Sequence, residues 1–170
     1  MNPIILGNII SFIGAIIMVA IGLLKKKRQI LYVQCLQFII MGIGNLILGG
    51  VTGFISNFIS TVRNLLSLRI PFTLPWKLVF IVLQGVLSLL FNEAGLIGWL
   101  PFIAACSFTL ALDTQNEIVL KSIIIFGQLL WALYDFSIRN YASLAFDLLT
   151  IVTTCIGIYW ILQKKFSKAT

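Results

Sequence analysis

Two carboxylates stand in a stretch of the chain that is otherwise apolar enough to enter a bilayer. Asp135 and Asp147 lie within residues 127–152, GQLLWALYDFSIRNYASLAFDLLTIV. An ionisable side chain at the centre of a membrane helix costs about 2.5 kcal/mol or more, so we interpret it first as functional. Two neighbouring carboxyl groups in a low dielectric do not both ionise readily, so the pair could bind a proton or a cationic ligand. The alternative hypothesis is structural, with each aspartate capping or hydrogen-bonding a neighbouring helix.

The composition of the chain indicates an integral membrane protein. Of 170 residues, 60% are hydrophobic and 10% are charged, and the mean hydropathy is +1.08. Soluble chains carry about 25% charged residues. The net charge of +7 does not form a broad basic face, because the basic residues cluster at residues 25–28 and 164–168, where apolar stretches end. We therefore expect these clusters to contact anionic lipid headgroups, and we expect no nucleic-acid partner.

Residue types that support catalysis or metal binding are scarce. The chain has no histidine, and its cysteines, Cys35, Cys106 and Cys155, lie far apart in apolar segments. Histidine is the commonest general base and metal ligand, and an odd number of separated cysteines does not indicate a disulfide framework or a zinc site. We therefore expect no catalytic residue, no metal site and no cofactor, and we predict that the protein is not an enzyme.

Apolar segments predict an all-α fold with seven transmembrane helices. Their approximate bounds are residues 3–24, 30–48, 52–68, 75–91, 96–112, 118–137 and 141–162. The first apolar segment stands before a basic cluster, whereas a secretory signal begins with its positive charge. We therefore interpret the segment as an uncleaved helix with its N-terminus on the outer side. Ten basic residues then fall on the inner side and only Arg139 on the outer side, which predicts a multi-pass cytoplasmic (inner) membrane protein with a cytoplasmic C-terminus.

Polar residues of the two halves coincide when the chain is shifted by 90 positions. Asn45 then falls on Asp135, Asn57 on Asp147, and Gly50 on Asn140. We interpret the first three helices as a repeat of the last three, with the fourth helix restoring the same orientation in the membrane. The predicted units are a first bundle (1–70), a linker helix (71–94), a second bundle (95–163) and a basic tail (164–170).

This three-plus-one-plus-three plan resembles the SWEET and PQ-loop superfamily, whose related fold also serves PnuC-type transporters. The segments SNFISTVRNLLSLR (56–69) and WLPFIAACSFTLAL (99–112) are similar to YgjV-type bacterial inner-membrane proteins. Pro101 is followed by Phe102, and Ser11 stands at the matching position of the first half, so the sequence departs from the PQ pattern. The resemblance implies two bundles that hold a substrate between them, at the positions of Asn45, Asn57, Trp131, Asp135 and Asp147.

Helix geometry predicts that the amides and acids among these residues lie at one depth in the membrane. Asp135 precedes the turn at residues 139–140 and Asp147 follows it, so both lie on the order of 6–10 Å below the outer boundary. Asn45 and Asn57 repeat these depths around Gly49-Gly50. With the polar neighbours of the acids, the substrate-binding set that the resemblance implies is Asn45, Asn57, Gln128, Trp131, Tyr134, Asp135 and Asp147. Plain packing for Trp131 and an interhelical hydrogen bond for Gln128 stay open as alternatives.

Arg63 and Asn64 are the remaining polar candidates, in the inner half of the third helix. Arg63 could form an inner gate or bind a carboxylate of the substrate. It could equally extend its long side chain to the cytoplasmic headgroups.

The function that these features favour is transport. We predict a transporter or facilitator that moves a small polar solute between two bundles by alternating access, with a proton-linked mechanism as a hypothesis. A non-transporting sensor or assembly factor is the alternative, and an intramembrane aspartyl enzyme fits least. Substrate, direction and oligomeric state stay open.

Overall fold

The computed structural model describes residues 2–21, 27–111, 114 and 116–166. Within these residues the chain forms seven α-helices and a short 3-10 turn at Ile97–Trp99. The helices are α1 (Pro3–Ile21), α2 (Lys27–Ile47), α3 (Val51–Ser67), α4 (Leu74–Phe91), α5 (Leu100–Ala111), α6 (Glu117–Ser137) and α7 (Tyr141–Phe166).

The predicted all-α class is confirmed, and the predicted helix bounds lie within a few residues of these. The fifth helix begins later than predicted because residues 97–99 form the 3-10 turn. The predicted end of the first helix at residue 24 lies outside the described residues. So do residues 25–26 and 167–168 of the two basic segments predicted to contact lipid headgroups.

Three of the described helices are long and apolar enough to cross a membrane: Leu74–Phe91, Glu117–Ser137 and Tyr141–Gln163. Shorter apolar helical segments are Pro3–Met18, Leu31–Ile47 and Ile97–Ala111. Large side chains of leucine, isoleucine, valine and phenylalanine cover the outside of the molecule, while many asparagine, serine and threonine side chains are buried. This distribution reverses that of a soluble protein, in which polar side chains are mostly exposed.

The helices pack mainly on their neighbours in the chain. α1 packs on α2 and α2 on α3, and likewise α5 packs on α6 and α6 on α7. Contacts of α1 with α7 and of α3 with α5 join these two groups of helices, and α4 packs on α3 and α5. We call α1–α3 the N-terminal group and α5–α7 the C-terminal group.

The joint between α2 and α3 is a tight glycine turn. Gly49 has φ of 82°, a left-handed conformation that a residue without Cβ adopts at little cost. The amide of Gly50 donates to the carbonyl of Asn45 at 2.7 Å, and the amide of Gly49 donates to that of Leu46 at 3.1 Å. These two bonds are the Schellman pattern that satisfies the last carbonyls of a helix.

The joint between α6 and α7 has the same pattern 90 residues later. Arg139 has φ of 61°. The amide of Asn140 donates to the carbonyl of Asp135 at 2.8 Å, and that of Arg139 to Phe136 at 3.2 Å. α2 and α6 also begin and end 90 residues apart. The backbone of the two hairpins therefore repeats at the offset that the polar residues show.

α3 is the helix that carries polar side chains into the interior. Ten of its seventeen residues are buried, and most of these are polar: Thr52, Ser56, Asn57, Ser60, Thr61, Arg63 and Asn64. Ile55 and Ile59 pack with Phe80 of α4 in a small apolar cluster on another side of the helix. α3 also contacts α2, α4 and α5. Its polar face therefore lies inside the molecule, between the two groups of helices.

Candidate functional site

Asp135 and Asp147 meet across the α6–α7 hairpin. Asp135 is 2% exposed and Asp147 is 8% exposed. The tight turn at residues 138–140 sets the two antiparallel helices in register, so the two side chains lie at one level and their carboxyl groups hydrogen-bond to each other. An ionised carboxylate only accepts hydrogen bonds, so this contact requires a proton on one of the two groups. The structure thus forms a buried carboxyl pair, and its internal contact is favourable when one of the two groups carries a proton.

Apart from the contact between the two acids, no N–H or O–H group of the described residues donates to Asp135 Oδ1 or Asp147 Oδ2, both of which are buried. Gln128 Oε1 is likewise buried without a donor. Gln128 lies two turns earlier on α6, about 10 Å along the helix axis. Buried polar atoms without partners are rare and cost about 1–3 kcal/mol each. These three oxygens can accept hydrogen bonds from the N–H of an amine or the O–H of a hydroxyl group, and the carboxylate oxygens can also take up a proton.

The side-chain hydrogen bonds of Asn45 and Asn57 go to groups other than the carboxyl groups of Asp135 and Asp147. Asn45 Oδ1 accepts a hydrogen bond from Asn140 Nδ2 at 2.9 Å, and Asn57 Nδ2 donates to the carbonyl of Gly53 in its own helix at 3.1 Å. The structure therefore brings together the two acids of the predicted polar ring and leaves the two amides in other hydrogen bonds. A direct role of the amides in substrate binding stays a prediction.

Tyr134 joins α6 to the beginning of α3. It is 1% exposed, and its hydroxyl oxygen accepts from the amide of Gly53 at 2.8 Å and from Thr52 Oγ1 at 3.3 Å. Gly53 lies in the first turn of α3, where backbone amides have no partner within the helix. A Cβ at Gly53 would lie 2.6 Å from Tyr134 Cε1, so the ring packs there because the residue is glycine. Trp131 packs edge-on against this ring, with centroids 5.8 Å apart.

Asn8 of α1 forms a further link between the two groups of helices. Its Nδ2 donates to the carbonyl of Arg139 at 2.8 Å, and its Oδ1 accepts from the amide of Ala142 at 2.9 Å. Together with the Asn45–Asn140 bond and the Tyr134–Gly53 bond, this contact closes the end of the molecule at which both tight turns lie. We call these three links the turn-side seam.

Arg63 lies toward the opposite end of α3 and points inward. It is 7% exposed, its Nη1 donates to Thr109 Oγ1 of α5 at 2.9 Å, and its Nε and Nη2 donate to Asn64 Oδ1 at 3.4 and 3.3 Å. Asn64 Nδ2 in turn donates to Gln34 Oε1 of α2 at 3.1 Å. The guanidinium is therefore held between helices and does not extend along the lipid-facing surface.

Polar residues of α4 also reach the interior, although none of them belongs to the predicted site. Gln84 Nε2 donates to Ser56 Oγ of α3 at 2.7 Å, and Lys77 Nζ donates to the carbonyl of Leu110 of α5 at 3.2 Å. Lys77, Gln84 and Ser88 are spaced by seven and four, which places them on one face of a helix. That spacing could have identified this face.

Among the surface depressions, a cavity of about 270 Å³ lies beside the turn-side seam. Its walls are Pro3 and Ile4 of α1, the end of α2, and residues 137–139 after α6. None of the residues predicted to bind substrate lines it. Asp135 and Asp147 are buried and do not border this cavity.

An apolar exterior, a polar interior and helices of membrane-spanning length define the class of helical membrane proteins. The model of a family described as bacterial inner membrane protein, Imp-YgjV, matches residues 5–165. The chain therefore belongs to the YgjV family of bacterial inner membrane proteins. Comparisons with curated proteins and with solved structures gave no match. The family description states a location and no activity.

Proposed function

We propose that this protein transports a small polar solute across the bacterial inner membrane through a site at Asp135 and Asp147. In this proposal all seven helices span the membrane in a three-plus-one-plus-three arrangement, with the N-terminus outside and the C-terminus in the cytoplasm. The observation that carries the proposal is the carboxyl pair, which is buried between helices and whose oxygens Asp135 Oδ1 and Asp147 Oδ2 accept no hydrogen bond from any other group of the described residues. A purely structural pair is expected to accept such bonds, because each unmet hydrogen bond destabilises the fold.

The location of the pair supports transport rather than simple anchoring of two helices. On α7, Ser143 is buried one turn before Asp147, and its hydroxyl contacts Met41 Sδ of α2 at 3.8 Å. Phe146 packs edge-on against Phe12 of α1, with centroids 6.2 Å apart. This part of α7 therefore faces the N-terminal group. A solute at the acids would lie beside the boundary between the two groups.

The turn-side seam supports alternating access as the mechanism. Its bonds join side chains to side chains or to single backbone groups, so they can break while the helices of each group stay packed. Transporters built from parallel repeats open by such movements of one group against the other around a fixed site. We propose that the described conformation is closed on the side of the tight turns, which is the outer side in the proposed orientation.

The chemistry of the site favours a ligand that donates hydrogen bonds. Asp135, Asp147 and Gln128 offer only acceptor oxygens at their unpartnered positions. A cationic amine would displace the shared proton, because its positive charge and N–H donors then serve both carboxylates and the net charge of the site is unchanged. A neutral polyol would bind with the proton in place. Exchange of one proton for one cation, or cotransport of proton and neutral solute, are the two resulting mechanisms.

Proton flux in reconstituted vesicles tests the proposal. Vesicles containing the protein and an internal pH dye are given sugars, polyols, nucleosides, vitamins or amines in turn. We expect at least one class to induce a pH change, which Asp147→Asn abolishes and the matched control Glu117→Gln leaves intact, because Glu117 is exposed at the start of α6. Solute uptake that ignores a pH gradient and survives Asp147→Asn would refute the proton-linked site. Binding without uptake would indicate a sensor.

A further inference from the structure

Arg63 is a buried cation with no acidic partner in the part of the chain that the structure describes. Its hydrogen bonds go to the side chains of Asn64 and Thr109, and the thiol of Cys35 lies close enough to interact with its charge. The sequence has five acidic residues. Asp135 and Asp147 contact each other, Glu93 and Glu117 are exposed, and Asp113 lies outside the described residues.

The two aspartates of the carboxyl pair lie at another level of the molecule. The 90-residue offset gives Asn57 the depth of Asp147, and Arg63 follows Asn57 by six residues on α3. Six residues correspond to about 9 Å along a helix axis. This distance is longer than a direct ion pair between the guanidinium and a carboxyl group of the pair allows.

The hydrogen bonds of Arg63 leave part of its capacity unused. A guanidinium has five N–H donors in a planar fork. Three of these N–H groups serve neutral oxygens, two on Asn64 Oδ1 and one on Thr109 Oγ1. Neutral partners orient a charge but do not neutralise it, and an uncompensated buried charge is strongly unfavourable. The remaining donors therefore favour an anion.

The surrounding residues hold the guanidinium in a fixed orientation. Thr109 Oγ1 donates to the carbonyl of Ala105 at 2.7 Å, so its lone pairs are free to accept from Arg63. Asn64 is fixed from the other side by Gln34. A preorganised guanidinium suits two-point binding of a carboxylate or phosphate.

We propose that Arg63 binds an anionic group, a carboxylate or a phosphate, toward the end of α3 opposite the turn-side seam. Two sources share this chemistry: a soluble anion that enters from solution, and the phosphate of a lipid headgroup. The inference does not rest on the transport proposal, because it concerns binding and its test requires no movement of solute.

Thermal unfolding of the full-length protein tests this site. The protein is placed in nanodiscs of phosphatidylcholine at constant ionic strength, and inorganic phosphate or succinate is added. A second set of nanodiscs contains phosphatidylglycerol. We expect at least one probe to raise the unfolding midpoint, by about 3–6 °C for a soluble probe at ten times its dissociation constant. Stabilisation by a soluble anion in phosphatidylcholine identifies a free anion as ligand, and stabilisation by phosphatidylglycerol alone identifies a headgroup.

Substitutions at Arg63 assign the effect to the guanidinium. Arg63→Gln is expected to abolish the stabilisation. Arg63→Lys keeps the charge but loses the fork, so half-saturation is expected at a roughly tenfold higher concentration, as for one lost charged hydrogen bond. Arg69→Gln is the matched control, because Arg69 is exposed two turns later in the chain. If Arg63→Gln does not fold, the comparison of Arg63→Lys with the native protein still tests whether the guanidinium binds the anion.

Three outcomes overturn the proposal. The first is that no probe stabilises the native protein. The second is that Arg63→Lys responds like the native protein, which would remove the guanidinium from the site. The third is that anions stabilise the protein only after Asp113→Asn, which would make Asp113 the counter-ion of Arg63.

Discussion

Replacing Tyr134 by phenylalanine removes one hydroxyl group from the turn-side seam and keeps the ring. The hydroxyl oxygen is the acceptor of the Gly53 amide at 2.8 Å and of Thr52 Oγ1 at 3.3 Å. In Tyr134→Phe both donors stay buried without this acceptor, at a cost of about 1–3 kcal/mol for an unsatisfied group. An open seam lets water reach them, so the penalty applies to the closed conformation. The open fraction is expected to rise by about 5- to 150-fold.

A cysteine beneath the seam measures this fraction. Ser143 is 0% exposed, and its backbone amide donates to Asn140 Oδ1 at 3.3 Å. The variant Ser143→Cys is made in a background without the native cysteines and is labelled from outside with a membrane-impermeant thiol reagent. When closing is faster than labelling, the labelling rate is proportional to the open fraction. We expect Tyr134→Phe to accelerate labelling by the same factor as the open fraction, about 5- to 150-fold.

Two variants make this result specific. Tyr141→Phe is the matched control, because Tyr141 is exposed at the start of α7 and its loss should leave labelling unchanged. Thr52→Val removes only the longer of the two bonds and should accelerate labelling less than Tyr134→Phe. An unchanged labelling rate in Tyr134→Phe, together with a lower unfolding midpoint, would refute the gating role and leave Tyr134 as a packing residue.

Three further predictions concern the contacts around the site. Asn45→Ala and Asn140→Ala should each lower the free energy of unfolding by about 1–2 kcal/mol, because the two side chains share a 2.9 Å hydrogen bond. A double-mutant cycle in denaturant should show a coupling of at least about 0.5 kcal/mol, and additive effects would contradict a contribution of this bond to stability. Gly53→Ala should accelerate labelling of the cysteine beneath the seam, because the new methyl group displaces the ring packed 2.6 Å away; native labelling kinetics would contradict this. Ser56→Ala should lower the free energy of unfolding by about 1–3 kcal/mol, because it removes the hydroxyl oxygen that accepts from the Gln84 amide at 2.7 Å. Ser107→Ala is the control and should cost less, because Ser107 is less buried and its hydroxyl bonds within its own helix.

The sequence alone determined the class of the protein and the positions of its helices. Apolar segments, basic clusters and turn residues are local features, and each acts through a few neighbouring residues. The same is true of the two tight turns, where Gly49 and Arg139 occupy matching left-handed positions. The pairing of Asp135 with Asp147 was also predictable, because a short turn between antiparallel helices sets their depths.

The tertiary structure alone decided which of the remaining polar groups meet. The depth of Asn45 suggested contact with the aspartates, yet its partner is Asn140, and Arg63 lies between helices rather than along the lipid. Gln84 joins α4 to α3 from a helix that the sequence presented only as a linker. Depth follows from position along one helix, whereas the direction in which a side chain points depends on how that helix is rotated against its neighbours. That rotation is set by packing between residues far apart in the chain.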